Sequence, residues 1–174
     1  MPTAAATQVA VSVIVEHDAW HAAIADPLPL LRRAARAAVA GARRARRSRA
    51  AWTPEVAVAL LDDRAMRKLN KTYRGKDKPT NVLSFPAGAP PVGKRRLLGD
   101  VAMALGTVKR EAKAQGKALE DHVTHLMVHA VLHLLGYDHE ADPDAAEMEA
   151  LERKILAALG IADPYRADSF PDAR

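Results

Sequence analysis

Cysteine is absent from the 174-residue chain. Disulfides and thiolate metal sites are therefore excluded, and His, Asp and Glu are left as the side chains able to hold a metal. The absence also fits a reducing compartment. Aromatic residues make up only 4% of a chain that is 49% hydrophobic, so Ala, Val, Leu and Ile must fill most of the core. No run approaches the roughly 20 apolar residues of a membrane span. A secretory signal is missing too: MPTAAATQVAVSVIVEHDAW has no basic residue ahead of its apolar stretch, which Glu16, His17 and Asp18 interrupt. These absences point to a cytoplasmic protein, and the length is that of a single domain, residues 1–174.

Acid is missing from one stretch. Eight arginines and no Asp or Glu lie between Arg32 and Arg49 in a chain of net charge +5. Without those eight the remainder is net acidic, so the basicity is local. A local basic surface attracts polyanions, but an Arg-rich helix face can also be merely solvated.

What is present divides into alternating elements. Val9, Val11, Val13 and Val15 alternate as in a strand, and Val56, Val58 and Leu60 repeat the pattern. Between them Leu31, Ala35, Ala38, Val39 and Ala42 recur at helical spacing, giving a helix from about Pro29 to Arg47, which Gly41 weakens by about 1 kcal/mol relative to Ala. Asp62 is placed to cap a short helix through Met66 and Leu69 to about Lys71. TYRGKDKPT reads as a loop, NVLSFP as a strand, AGAPPVGKRR as a loop and LGDVAMAL as a strand. Helices then follow over Thr107 to Gln115, over Leu119 to Leu135, and from an Asp142 cap with Pro143 to Gly160. The order βαβαββααα predicts one α+β domain, a small sheet of about four strands with several helices packed on it. Its core spans about residues 8 to 160, with a short polar tail from Ile161 outside it.

Five of the seven histidines fall between His122 and His139. Positions four apart on a helix differ by only about 40° in direction, so His129 and His133 share a face one turn apart. That spacing lets two imidazoles reach one cation at the ~2.0–2.1 Å that zinc requires. Gly136 can end the helix in the left-handed conformation, and the turn brings His139 toward the same ion. Three protein ligands leave one position open, the arrangement of a catalytic zinc. The spacing H-x-x-x-H-x-x-G-x-x-H is that of the metzincin proteases, but their general base is a Glu after the first His, and Ala130 stands there. His125, a turn before His129, suits a supporting role better than a fourth ligand, which would close the open position. Asp138 and Glu140 are candidates to orient a ligand imidazole, whereas His17, His21 and His122 read as structural or exposed.

HLMVHAVLHLLGYDHE, LNKTYRGKDKPTNVLSFP and LLGDVAMA together resemble the YbeY family of metal-dependent endoribonucleases, the rRNA maturation factors, in order from about Val56 to Tyr165. The resemblance implies a mixed sheet with several packed helices and a zinc site in a cleft, with one Zn2+ per chain on His129, His133 and His139 and a functional arginine at Arg74. It implies a single-strand-specific endoribonuclease acting in rRNA maturation, including small-subunit rRNA end processing, and in ribosome quality control, with RNA and the ribosome or ribosomal proteins as partners. Arg74 would then hold the scissile phosphate, with Lys76 and Lys78 guiding the backbone. The family usually has Gly where Ala130 stands, a change expected to narrow substrate approach slightly. The rival readings are a metalloprotease, which Ala130 opposes, and a ribosome-binding assembly factor with a structural zinc.

Overall fold

A computed structural model describes residues 7–138 and 142–166. It is one α+β domain with a four-stranded mixed sheet. The alternating valines form β1 (Ala10–Val15) and β2 (Thr53–Leu61), which pair in parallel. β3 (Val82–Pro86) runs antiparallel to β4 (Arg95–Ala104), and β4 lies parallel to β2, so the sheet order is β1-β2-β4-β3. β4 begins inside the stretch expected as loop, because Arg95 and Arg96 continue the parallel ladder opposite Thr53 and Pro54.

Six helices surround this sheet among the described residues: α1 (Ala19–Ala23), α2 (Pro27–Ala45), α3 (Asp63–Arg74), α4 (Leu105–Ala114), α5 (Leu119–Leu134) and α6 (Asp142–Ala158). α1 was not anticipated, since five residues are too few to show a period. It exists because Trp20 is fully buried and its indole N–H donates to the Leu61 carbonyl at 2.9 Å. α3 extends three residues past the expected Lys71, so Thr72 to Arg74 are helical rather than loop. The reason is Asn70, a buried polar residue whose amide donates to the Lys78 carbonyl at 2.8 Å and pins the following loop against the helix.

One face of the sheet carries the main core, where Val11, Val56, Val58, Leu60, Val101 and Met103 meet the apolar faces of α2, α5 and α6. A smaller cluster on Leu61, Met66, Ala102 and Ala104 seats α3. Small residues on α2 (Ala34, Ala35, Ala38 and Ala42) bring it close to α5 and α6. No described helix is long and apolar enough to cross a membrane.

The arginines of α2 and the turn after it divide into two groups. Arg46 donates to the Leu135 carbonyl at 2.8 Å and lies 4.0 Å over the Tyr137 ring, and Arg33 reaches the Leu159 carbonyl at 3.4 Å. Both thus place a cation on the carbonyl end of another helix, where the helix dipole favours it. Arg43 donates to the Trp52 carbonyl at 2.6 Å. Arg32 and Arg36, by contrast, line a second groove with Lys94 and Arg95, and make no ion pair among the described residues. Residues 161–166 do not form an outlying tail: Asp163 accepts from Arg153 Nε at 3.3 Å and from the Tyr165 backbone N–H at 2.9 Å, folding the segment onto α6.

Two stability predictions follow from these contacts. A Cβ at Gly41 would stand 2.7 Å from Ile155 Cγ1, so this glycine permits the close approach of α2 and α6. Gly41→Ala gains up to about 1 kcal/mol of helix propensity but overpacks a buried contact at a cost of about 1–3 kcal/mol. Its urea midpoint should fall, and a rise would mean that Ile155 yields freely. Asp63 caps α4 from a distance, accepting from the Thr107 N–H at 2.9 Å, the Thr107 hydroxyl at 3.0 Å and Arg110 at 2.9 Å. Burial pushes its carboxyl up, but the Thr107 and Arg110 hydrogen bonds outweigh this and hold it below the ordinary 3.8. A depressed carboxylate stabilises the fold above its ordinary value, and that contribution is lost as pH falls through the folded value. Asp63→Asn should therefore cost about 1 kcal/mol at pH 7. The gap from the parent should close below about pH 4; a pH-independent gap would remove Asp63 charge from the account.

Candidate functional site

α5 is apolar around most of its circumference, which places it at the centre of the domain. From His122 to Leu134 every residue is buried except His125, His129 and His133. These three are spaced by four, so they form one slanted stripe, and the stripe opens into a cleft of about 890 Å³. Across the opening the cleft is lined by Asn81 to Ser84 at β3 and by Arg74, and at its end by Gly136, Tyr137, Asp138 and Tyr165.

His129 and His133 project side by side, with ring centroids 4.5 Å apart and their Nε2 atoms 3.0 Å apart. Just beyond them α5 ends in a Schellman turn. Gly136 takes φ +90°, its N–H donates to the His133 carbonyl at 2.9 Å, and the Tyr137 N–H donates to the Leu132 carbonyl at 3.0 Å. This is the helix stop expected at Gly136, and it reverses the chain at the mouth of the cleft. His139 and Glu140 lie outside the described residues. Among the described residues no three His, Asp or Glu side chains form a metal-binding group; His129 and His133 supply two adjacent imidazoles.

The carboxylate beside these rings comes from α6. Glu152 has no exposed surface, and its Oε1 accepts a hydrogen bond from His129 Nδ1. Its Oε2 accepts from the Tyr165 hydroxyl and lies 3.5 Å from His125 Nε2. Burial pushes the Glu152 carboxyl up, but the contacts from His125, His129 and Tyr165 overcome this and bring it down to about 2. The Tyr165 phenol is pushed above its ordinary value by burial and by the adjacent Glu152, so it remains a donor. Because an ionised carboxylate can only accept, the proton of a neutral His129 sits on Nδ1, and the Nε2 lone pair faces His133. A divalent cation fits this donor set, since two imidazole nitrogens so close together need a cation or a shared proton between them.

Sequence reasoning missed Glu152 and Tyr165. Glu152 lies on the Met148–Ile155 side of α6, four residues after Met148 and three before Ile155, so a carboxylate at a core position was the available signal. Of the residues named instead, Asp138 lines the cleft. His122 is buried, with Nε2 2.8 Å from Glu111, whose carboxylate also accepts from Asn81 at 3.0 Å. The pair thereby anchors the start of β3 at the cleft wall. Ala130 is fully buried in the core and does not narrow the cleft.

Arg74 is the last residue of α3, and Gly75 follows in the left-handed conformation. Its Nη2 donates to the Ser84 carbonyl at 3.0 Å, and the guanidinium lies 5.5 Å from the Phe85 ring centre. It lines the cleft and makes no ion pair among the described residues. Lys76 and Lys78 are exposed in the loop beyond it.

A model of the family described as Endoribonuclease YbeY matches residues 27–160. A protein named Endoribonuclease YbeY from Rhodopseudomonas palustris is 51% identical over 156 residues, spanning 88% of this chain and 79% of its own length. Another, from Parvibaculum lavamentivorans, is 58% identical over 123 residues, 66% of each chain. The solution structure of TM1509 from Thermotoga maritima shares the fold, with a TM-score of 0.53 at 19% identity over 90% of this chain and 99% of that one. On the matched residues and on these identities, the chain belongs to the endoribonuclease YbeY family.

Proposed function

We propose that the protein is a zinc-dependent, single-strand-specific endoribonuclease acting in the cytoplasm on ribosomal RNA, in small-subunit rRNA end processing and ribosome quality control, with ribosomal partners. The observation that carries the enzymatic part is the pair of Nε2 atoms, 3.0 Å apart, in a cleft that also holds Arg74, which makes no ion pair among the described residues. The relatives' name supplies the substrate class. His129 and His133 would hold the metal, with His139 as the third ligand. A bound zinc supplies Lewis acidity, which stabilises negative charge as it develops at a phosphoryl group.

The chain's own residues do the rest. Ser84 and Phe85 hold the Arg74 guanidinium from one side, and Nη1 reaches the Tyr73 carbonyl at 3.5 Å; its remaining N–H groups would grip a phosphate and offset developing charge. The cleft wall at β3 is kept in place by Asn81 and Glu111, so the distance between Arg74 and the histidine stripe does not depend on a mobile loop. The burial of Ala130 opposes proteolysis, because that position faces the core.

Single-stranded RNA, matched DNA and casein, each incubated with metal-replete protein, test this reading. RNA alone should be cut. His133→Ala should lose the zinc equivalent and the cleavage together, and a variant keeping full zinc would sink the ligand assignment. Arg74→Ala should keep its zinc and cut roughly 10²–10³-fold more slowly; undiminished cleavage would take Arg74 out of the mechanism. A 2′,3′-cyclic phosphate on the product would identify the RNA 2′-hydroxyl, rather than water, as the attacking group.

A further inference from the structure

The metal-facing nitrogen of His129 is determined by what its other nitrogen touches. That partner is Glu152, a carboxylate with no exposed surface on a different helix. Among the described residues, no Lys or Arg pairs with it. Its hydrogen-bond donors are instead His129 on Oε1 and Tyr165 on Oε2, with His125 Nε2 3.5 Å from Oε2. A buried carboxylate without a cationic partner is costly to keep, and a side chain whose only task was to join α5 to α6 could be apolar at lower cost. The two donors are also of unequal kind. Tyr165 is a phenol on the segment after α6, held in place by Asp163 and by Arg153, whose guanidinium lies 5.1 Å from the Tyr165 ring centre.

We infer that Glu152, oriented by Tyr165, is a positioning residue that keeps the His129 proton on Nδ1 and so presents the Nε2 lone pair to the metal. The inference rests on the reading of His129 as a ligand. It assigns the residues after α6 to the metal site, although the sequence pattern sets them apart as a polar tail. It also settles the part of His125. This ring approaches the same carboxylate through Nε2, the opposite nitrogen, at 3.5 Å, so the charge it faces favours a proton rather than a lone pair there. Among the described residues its Nδ1 is buried without a hydrogen-bond partner. His125 therefore completes the environment of Glu152 and leaves the ligand set to His129 and its neighbours. Carboxylate–histidine–metal arrangements of this kind raise ligand basicity, and losing the outer partner typically weakens metal affinity about 10–100-fold.

Two readouts test the inference in the full-length protein. The first needs no metal: 15N-resolved NMR of the histidine rings in the chelator-stripped protein reports which nitrogen carries the proton. His129 should be the Nδ1–H form in the parent and a mixture in Glu152→Ala. The second is zinc affinity, measured by competition with a chromophoric chelator. Glu152→Ala should bind zinc about 10–100-fold more weakly. Glu152→Gln, which keeps a carbonyl able to accept from Nδ1–H, should recover part of the loss. Tyr165→Phe, which removes only the hydroxyl, should weaken zinc binding by a smaller factor in a protein that remains folded. An unchanged tautomer in Glu152→Ala, or zinc affinity within twofold of the parent in the folded Glu152→Gln and Tyr165→Phe variants, would overturn the assignment. If the parent itself binds no zinc, the proposed function fails while the tautomer measurement still decides what Glu152 does.

Discussion

α5 is surrounded by protein on every side except along one stripe, and the rest of the molecule is arranged around that constraint. A helix whose apolar residues run nearly all the way round must sit in the middle of a domain. The sheet meets it on one side, with α2 and α6 on others. Polar residues on such a helix have two choices: find a partner in the interior or face an opening. His122 takes the first course with Glu111, and His125, His129 and His133 share the second. Donors carried on a buried helix are held by packing on all sides, which is the support that a metal or substrate site needs if its geometry is to be fixed before anything binds.

Secondary contacts extend that rigidity to the walls of the cleft. Asn81, Glu111 and His122 tie β3 to α4 and α5, while Glu152 joins α6 and the segment after it to α5. Each link ends in a carboxylate buried to some degree and satisfied by hydrogen bonds, so each is specific about direction as well as distance. Arg74 approaches from the opposite wall on α3, whose seat on the sheet is a separate small cluster. The cleft is therefore a junction between two packing units, with the imidazoles on one and the cation on the other.

Much of this could be read in the sequence because the relevant signals are local. Alternating valines account for β1 and β2, and Gly136 for the end of α5, since each depends on neighbours within one turn or one pleat. The four-residue spacing of His129 and His133 likewise fixed their adjacency. Asn70 lengthened α3 through a bond to Lys78, and Trp20 created α1 through a bond to Leu61; neither is visible to a periodicity that looks only along the chain. Glu152 was hidden for the same reason. Its significance comes from residues 23 positions before it and 13 after it, and in one dimension it is only a charged residue in an otherwise amphipathic helix. Gly41 went the other way: the sequence marks it as a weakness in α2, and packing against Ile155 makes it a requirement.

The arginine tract shows what such folding does to a uniform-looking sequence. Along the chain its members are equivalent, yet three of them end on particular carbonyls or rings and two line an open groove. The two groups therefore have different tolerances for exchange. Arg33, Arg43 and Arg46 answer to the shape of what they touch, where the flat, forked guanidinium has no good replacement in lysine. Arg32 and Arg36 answer to charge alone, which lysine supplies equally well. Related chains should accordingly drift between the two basic residues at one set of positions and hold arginine at the other, within a single helix and the turn that follows it.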